Sequence, residues 1–217
     1  MPARYTLVLA TKEYSSWSLR PYLALRAIGA AFDEVKIQLR RETTPAEVLK
    51  QSPSGRVPLL KIEDNGRAFA VWDSLAICET LAERHPDAGL WPEDAVARAT
   101  ARAVSAEMHS GFPDLRDQLG MHFTQEVPRP EWRPATLAQI ARVQTIWTEA
   151  LATSGGPFLF GRFSIADCMY APVCSRFRTY GVEMAAPVRS YVERVLALPG
   201  MVDWGAEARK EVAEGFV

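Results

Sequence analysis

A proline opens the apolar run Pro58-Leu59-Leu60-Lys61-Ile62, directly after Arg56-Val57. Proline cannot donate to a sheet ladder, so a strand containing it must start there or lie at an edge. The next residues, Glu63-Asp64-Asn65-Gly66, supply a hairpin turn, because Asn-Gly tolerates the positive φ that a two-residue loop needs. The following element then begins at the pair Asp73-Ser74. This order predicts a proline held in a fixed turn that presents the backbone of Val57 to a ligand. A cis bond is the reading that context favours there, although cis accounts for only about 5–6% of X-Pro bonds.

The residues around that turn alternate strand-like and helical patterns. Tyr5-Leu7-Leu9 and Val35-Ile37-Leu39 repeat every second residue, as strands with one buried face do. Between them Leu19, Tyr22, Leu23 and Ala27 recur at helical spacing, with Gly29 as a stop and Pro21 expected in the helix's first turn. Thr43 to Gln51 reads as a short helix closed by Ser52-Pro53-Ser54-Gly55. Leu59 to Ile62 and Ala68 to Val71 pair around Asn65-Gly66, and Ser74 to Arg84 forms a helix with Leu75, Cys78 and Leu81 or Ala82 on one side. A β-α-β-α-β-β-α order over residues 1–84 specifies a small α/β sheet with helices on both faces.

Beyond this half the strand signal stops. His85 to Asp94 holds two prolines and a glycine and reads as a linker. Residues 95–217 form an all-helical region. Ala95 to about Leu119 reads as one helix, irregular near Gly111-Phe112-Pro113. Thr136-Leu137-Ala138-Gln139 and Ser164-Ile165-Ala166-Asp167 have capping-box spacing, in which the first and fourth residues satisfy each other's free backbone donors. Further helices are expected at about Ala166–Thr179, Pro187–Leu198 and Val202–Ala208.

Charge and cysteine usage narrow the function classes. With 25 basic and 26 acidic residues among 217, the net charge of -1 argues against broad contact with nucleic acid or an anionic membrane. No apolar run approaches the roughly 20 residues of a membrane span. The N-terminal residues carry no signal-peptide apolar region, so a cytoplasmic protein is expected. Cys78, Cys168 and Cys174 form no C-x-x-C pair and read as buried small apolar side chains. His85, His109 and His122 lack metal-ligand spacing, and no metal site is expected.

Four segments, each weak alone, occur here in one order: Tyr14-Ser15-Ser16-Trp17-Ser18-Leu19-Arg20 after strand one, Val57-Pro58, Asp73-Ser74, and Phe160-Gly161-Arg162-Phe163-Ser164-Ile165-Ala166-Asp167. Together they resemble the soluble glutathione S-transferases over nearly the whole chain. The resemblance implies a thioredoxin-like N-terminal domain that binds glutathione, an all-α C-terminal domain that supplies the second substrate's pocket, and a homodimer. Ser15-Ser16-Trp17-Ser18 is similar to the Ser-Ser-Cys-Ser stretch of the zeta class, with Trp17 where that class carries cysteine.

The resemblance also implies roles. A free thiol has a pKa of about 8.5, so glutathione needs a group that favours its thiolate. Ser15 can donate a hydrogen bond to the sulfur at a helix N-terminus, whose partial positive charge helps. Ser16 is the next candidate and Tyr14 the one after. The plainer reading makes Ser15, Ser16 and Ser18 helix caps. Asp73 suits the γ-glutamyl ammonium and Ser74 its carboxylate. Val57 would pair its backbone with the cysteinyl peptide, Pro58 would hold that turn, and Arg40, Arg41 and Arg56 surround the expected place of the glycyl carboxylate. His109, Phe112 and Arg116, at i, i+3, i+7 spacing, could face the second substrate together; Arg116 could equally pair with Asp114 or Glu107. The expected activity is addition of glutathione thiolate, bound as cosubstrate, to a small electrophile. The alternatives are glutathione-dependent cis-trans isomerisation of a maleyl-type diacid and a non-catalytic scaffold of the same fold.

Overall fold

The computed structural model describes residues 3–217. Four strands, β1 (Arg4–Ala10), β2 (Phe32–Ile37), β3 (Leu59–Asp64) and β4 (Arg67–Trp72), form one sheet in the order β2-β1-β3-β4. β1 runs parallel to β2 and antiparallel to β3, and the β3–β4 hairpin turns at Asn65-Gly66, both with positive φ. The parallel pair needs a crossover, which α1 (Ser16–Ala27) supplies. Leu39 lies past the end of β2, where its N–H donates to Thr11 Oγ1, 2.9 Å.

The period of two along β1 divides the sheet's faces. Tyr5, Leu7 and Leu9 enter the main core with Leu60 and Ile62, beneath α1 and α3 (Ser74–Arg84). Val8 points the other way and packs with Ile37, Leu59 and Val48 of α2 (Thr44–Gln51). Both faces are covered, so the C-terminal end of β1 is wholly buried and the loop after it opens at one rim of the sheet.

The remaining helices are α4 (Ala95–Ser110), α5 (Pro113–Gln118), α6 (Pro134–Ser154), α7 (Ile165–Thr179), α8 (Ala186–Leu196) and α9 (Pro199–Ala213), with a 3₁₀ turn at Pro86–Ala88. The main core is continuous from β1 to Trp204 of α9. Trp147, fully buried, packs against Tyr170, Phe177 and Tyr191, while Trp204 packs on Tyr22 and donates to the Lys12 carbonyl, 2.9 Å. No helix among the described residues is long and apolar enough to cross a membrane.

Three local expectations are corrected. α1 starts at Ser16, so Pro21 lies inside the helix rather than in its first turn, and the ladder loses the bond to the Trp17 carbonyl. The long helix expected from Ala95 breaks after Ser110, because Phe112 takes a left-handed φ of 62° and starts α5 on a new axis. Thr136 does not cap α6, which begins at Pro134. Instead Thr136 Oγ1 donates to Gln118 Oε1, 2.6 Å, and Gln139 Oε1 accepts from the Leu115 N–H, 2.9 Å, tying α6 to α5.

The second capping box is present. Fully buried Asp167 accepts from the N–H of Ser164, 2.9 Å, from Ser164 Oγ, 3.1 Å, from the Leu159 N–H, 3.2 Å, and from Tyr191 Oη, 3.1 Å. Removing it strands buried donors. Asp167→Ala is therefore expected to destabilise the fold by about 2–4 kcal/mol, read from urea unfolding midpoints, against about 1 kcal/mol for Ser164→Ala.

Candidate functional site

The loop after β1 is shaped by two serines. Ser15 is the N-cap of α1, and its Oγ accepts from the Ser18 N–H, 3.3 Å. The two hydroxyls lie 2.8 Å apart, and Ser18 Oγ also accepts from the Ala10 N–H at the end of β1, 3.2 Å. Capping uses a lone pair of Ser15 Oγ while its proton is donated to Ser18 Oγ; turning that proton from Ser18 toward the cleft lets one serine cap a helix and donate to a ligand.

Ser15 opens onto a cleft of about 1130 Å³. Its walls come from the loop after β1, from Leu39 and α2, from the turn through Arg56-Val57-Pro58, and from the β4–α3 junction at Asp73-Ser74. The Val57–Pro58 peptide bond is cis. Asp73 adopts a left-handed φ of 76° and caps α3, its Oδ1 accepting from the N–H groups of Leu75, 2.9 Å, and Ala76, 3.2 Å. Such a backbone is unusual for a residue other than glycine and is held by its surroundings. His109 reaches the same cleft from the end of α4, and its Nε2 lies 3.1 Å from Asp73 Oδ2.

Five residues named from the sequence lie off this lining; one, Arg41, donates to the Gly215 carbonyl, 3.3 Å. Ser16 turns inward one position round the helix from Ser15 and accepts from Arg176 Nη2, 3.2 Å. Arg40 lies over the Tyr14 ring, 3.7 Å from its centre, at the rim. Phe112 is buried. Arg116 closes the end of α4, donating to the carbonyls of Met108 and Gly111. The i, i+3, i+7 alignment of His109, Phe112 and Arg116 fails because the helix axis changes between the first residue and the other two. Arg116 pairs with neither Asp114 nor Glu107, which bind Arg133 and Arg142 instead.

Sequence reasoning missed a cationic layer behind the cleft. Arg20 and Arg116 both stack on Trp17, at 4.2 and 4.7 Å from the ring centre, and His109 meets the same ring edge-on at 5.3 Å. Arg176 of α7 completes the group. Every hydrogen bond these three arginines make among the described residues goes to a carbonyl or hydroxyl, none to a carboxylate. Arg20 is fully buried, bonded at 3.5 Å to Ser74 Oγ, with Nε and Nη2 unpartnered. Burial, then Arg116 and Arg176, push its pKa down to about 9; burial, then Arg116, push Arg176 down to about 10. Only the spacing of Trp17 and Arg20 within Ser-Trp-Ser-Leu-Arg hinted at a stack. Arg176 carried no local signal, since a distant helix brings it in.

With this geometry in place, the comparisons with known proteins are consistent across the chain. The profile described as "Glutathione S-transferase, N-terminal domain" matches residues 14–84, and that described as "Glutathione S-transferase, C-terminal domain" matches residues 130–204. The maleylacetoacetate isomerase of Rhizobium meliloti is 37% identical over 183 residues, 79% of this chain and 82% of that protein. A Caenorhabditis elegans protein named "Probable maleylacetoacetate isomerase" is 32% identical over 102 residues, 47% of this chain and 45% of its own length. A glutathione transferase homolog from Burkholderia, solved with bound glutathione, superposes with a TM-score of 0.72 at 24% identity, covering 95% of this chain and 98% of that one. The chain belongs to the glutathione S-transferase family, with a thioredoxin-like sheet half and a helical half.

The histidine offers a direct check on the cleft's electrostatics. Burial, with Arg20 and Arg116 adding to it, holds the His109 pKa below its ordinary 6.5, against the opposing pull of Asp73. An NMR titration should give a midpoint below 6.5, lower still in Asp73→Asn and higher in Arg116→Met. The depressed value means the unfolded chain binds this proton more readily. The stability His109 contributes is therefore full above pH 6.5 and is lost as pH falls toward the folded-state value.

Proposed function

We propose that this protein binds glutathione in the cleft, holds its sulfur as a thiolate through the Ser15 hydroxyl, and adds it to small electrophilic substrates. The observation that carries this reading is the position of Ser15: a helix N-cap lining the cleft, whose hydroxyl proton, donated to Ser18 Oγ, can rotate to a ligand without giving up the cap bond. None of the three cysteines lines the cleft; all are buried, and burial pushes the Cys78 thiol up to about 12. The nucleophile would thus arrive with the cosubstrate, and no covalent serine intermediate forms.

The rest of glutathione has complementary groups nearby. Asp73 would receive the γ-glutamyl ammonium. Ser74, buried and at the first position of α3, would receive its carboxylate with help from the helix N-terminus. The Val57 backbone would pair with the cysteinyl peptide in strand fashion, next to Pro58. Arg56, exposed on the cleft wall, would take the glycyl carboxylate in preference to Arg40, which is committed to Tyr14. Residues 1–84 would bind glutathione and residues 95–217 the electrophile, joined through 85–94. Cytoplasmic residence and a homodimer belong to the same reading; exposed Phe69 and Trp72 on edge strand β4 favour association.

A second reading uses the same thiolate for cis-trans isomerisation: it adds to a cis double bond, the resulting single bond rotates, and expulsion of the thiolate leaves the trans product and unchanged glutathione. The names of the relatives favour it, as do three arginines without carboxylate partners behind Trp17.

A hydrogen bond to a charged partner contributes about 1.5–3 kcal/mol, equivalent to about one to two pKa units. Ser15→Ala should therefore raise the thiol pKa of bound glutathione by about one to two units, followed by thiolate ultraviolet absorbance. It should also lower kcat/KM for conjugation by about ten- to a hundredfold at neutral pH. An unchanged thiol pKa in the variant would remove Ser15 from the role. Assay of a maleyl diacid and a simple electrophile on the same preparation separates the two readings by which substrate is turned over.

A further inference from the structure

Asp73 is used twice. Oδ1 belongs to the cap of α3, while Oδ2 faces His109 Nε2 at 3.1 Å, across the boundary between the sheet half and α4. The cap cannot be given up without freeing the first turn of α3, so Oδ2 is the oxygen left for a ligand's ammonium. It is the oxygen His109 already occupies.

The imidazole is poorly satisfied in this position. Nδ1 is buried with no hydrogen-bond partner among the described residues. Burial and the guanidinium groups of Arg20 and Arg116 disfavour its charged form, so near neutral pH a neutral ring donates through Nε2 and leaves a bare acceptor at Nδ1. A ligand ammonium brings a full charge to the same carboxylate oxygen, which makes it the stronger partner. Among the described residues, Asp73 is the imidazole's one polar partner and the edge of Trp17 its one aromatic contact.

We propose that His109 is a latch on the γ-glutamyl subsite, holding the Asp73 oxygen that glutathione's ammonium needs and released when glutathione binds. The latch rests on the reading that Asp73 receives that ammonium. Its consequence is an order of events. Glutathione displaces the imidazole, and the freed His109 is then available beside Ser110 and Trp17, on the side of the cleft where the second substrate must approach. His109 is in this account a positioning residue for the cosubstrate, and it becomes a contact for the electrophile only after glutathione is in place.

Calorimetric titration with glutathione and with N-acetylglutathione, whose ammonium is blocked, tests the exchange in wild type, His109→Ala and His109→Gln. His109→Ala should bind glutathione about three- to tenfold more tightly than wild type, the size of one released hydrogen bond, with no gain for the N-acetyl ligand. His109→Gln, whose amide still donates toward Asp73, should stay within about twofold of wild type. Equal or weaker glutathione binding by His109→Ala, or an equal gain for both ligands, overturns the latch while leaving glutathione binding intact. Failure of wild type and variant alike to bind glutathione overturns the proposed function, and the latch with it. Thermal unfolding checks that each variant is folded. Should His109→Ala not fold, the wild-type His109 ring signals decide: they must shift on saturation with glutathione, and a ring that stays bonded to Asp73 refutes the exchange.

Discussion

The hydrogen-bonded chain from the Ala10 N–H through Ser18 Oγ to Ser15 Oγ sets where α1 starts relative to the end of β1. It joins the last residue of the central strand to the first turn of the helix that crosses over it. Each link depends on its neighbour: Ser18 must sit three residues past the cap to receive both the strand's donor and the cap's hydroxyl. Because β1 is covered on both faces, its end has no freedom to shift, and the hydroxyl of Ser15 is presented at a fixed height above the sheet. The Val57–Pro58 turn and the Asp73-Ser74 junction lie on the same rim, since β3 pairs with β1 and β4 with β3.

A second constraint comes from the helical half. Trp17, the second residue of α1, carries a guanidinium from its own helix and another from α5, with the imidazole of α4 at its edge. The stack places three cationic or potentially cationic groups between the serine loop and α7, where Arg176 reaches Ser16. Buried guanidiniums without carboxylates are costly, and burial depresses their pKa values. Stacking on indole and bonding to carbonyls offset part of that cost. The layer places positive charge behind the cleft, close to the Asp73-Ser74 junction, where Arg20 donates to Ser74 Oγ.

The sheet half was legible because its signals are local. Period-two alternation in β1, the Asn65-Gly66 turn, and the Asp73 cap each declare themselves within a few residues. Ser164 to Asp167 was legible for the same reason. The failures share a different cause. Apolar spacing that begins at Leu19 puts Pro21 in the first turn, whereas the cap bond at Ser15 starts the helix earlier. His109, Phe112 and Arg116 would share a face on one continuous helix, but Phe112's left-handed backbone divides it. Thr136 has capping-box spacing, yet the helix begins at Pro134 and the side chain is spent on α5. Arg176 and the Asp73–His109 contact join segments far apart in the chain, and spacing carries no information about such pairs. Of the cleft residues, those at turns and caps could be read from the sequence; those that depend on which helix lies opposite could not.

The central claim is that the sulfur of glutathione meets Ser15. A crystal structure of the protein with glutathione bound tests it most directly. The account predicts the sulfur within hydrogen-bond distance of Ser15 Oγ, the γ-glutamyl end at Asp73 and Ser74, and the cysteinyl peptide against Val57. A sulfur turned to Tyr14 or Ser110 with Ser15 Oγ still bonded only to Ser18, or glutathione bound outside this cleft, would contradict it.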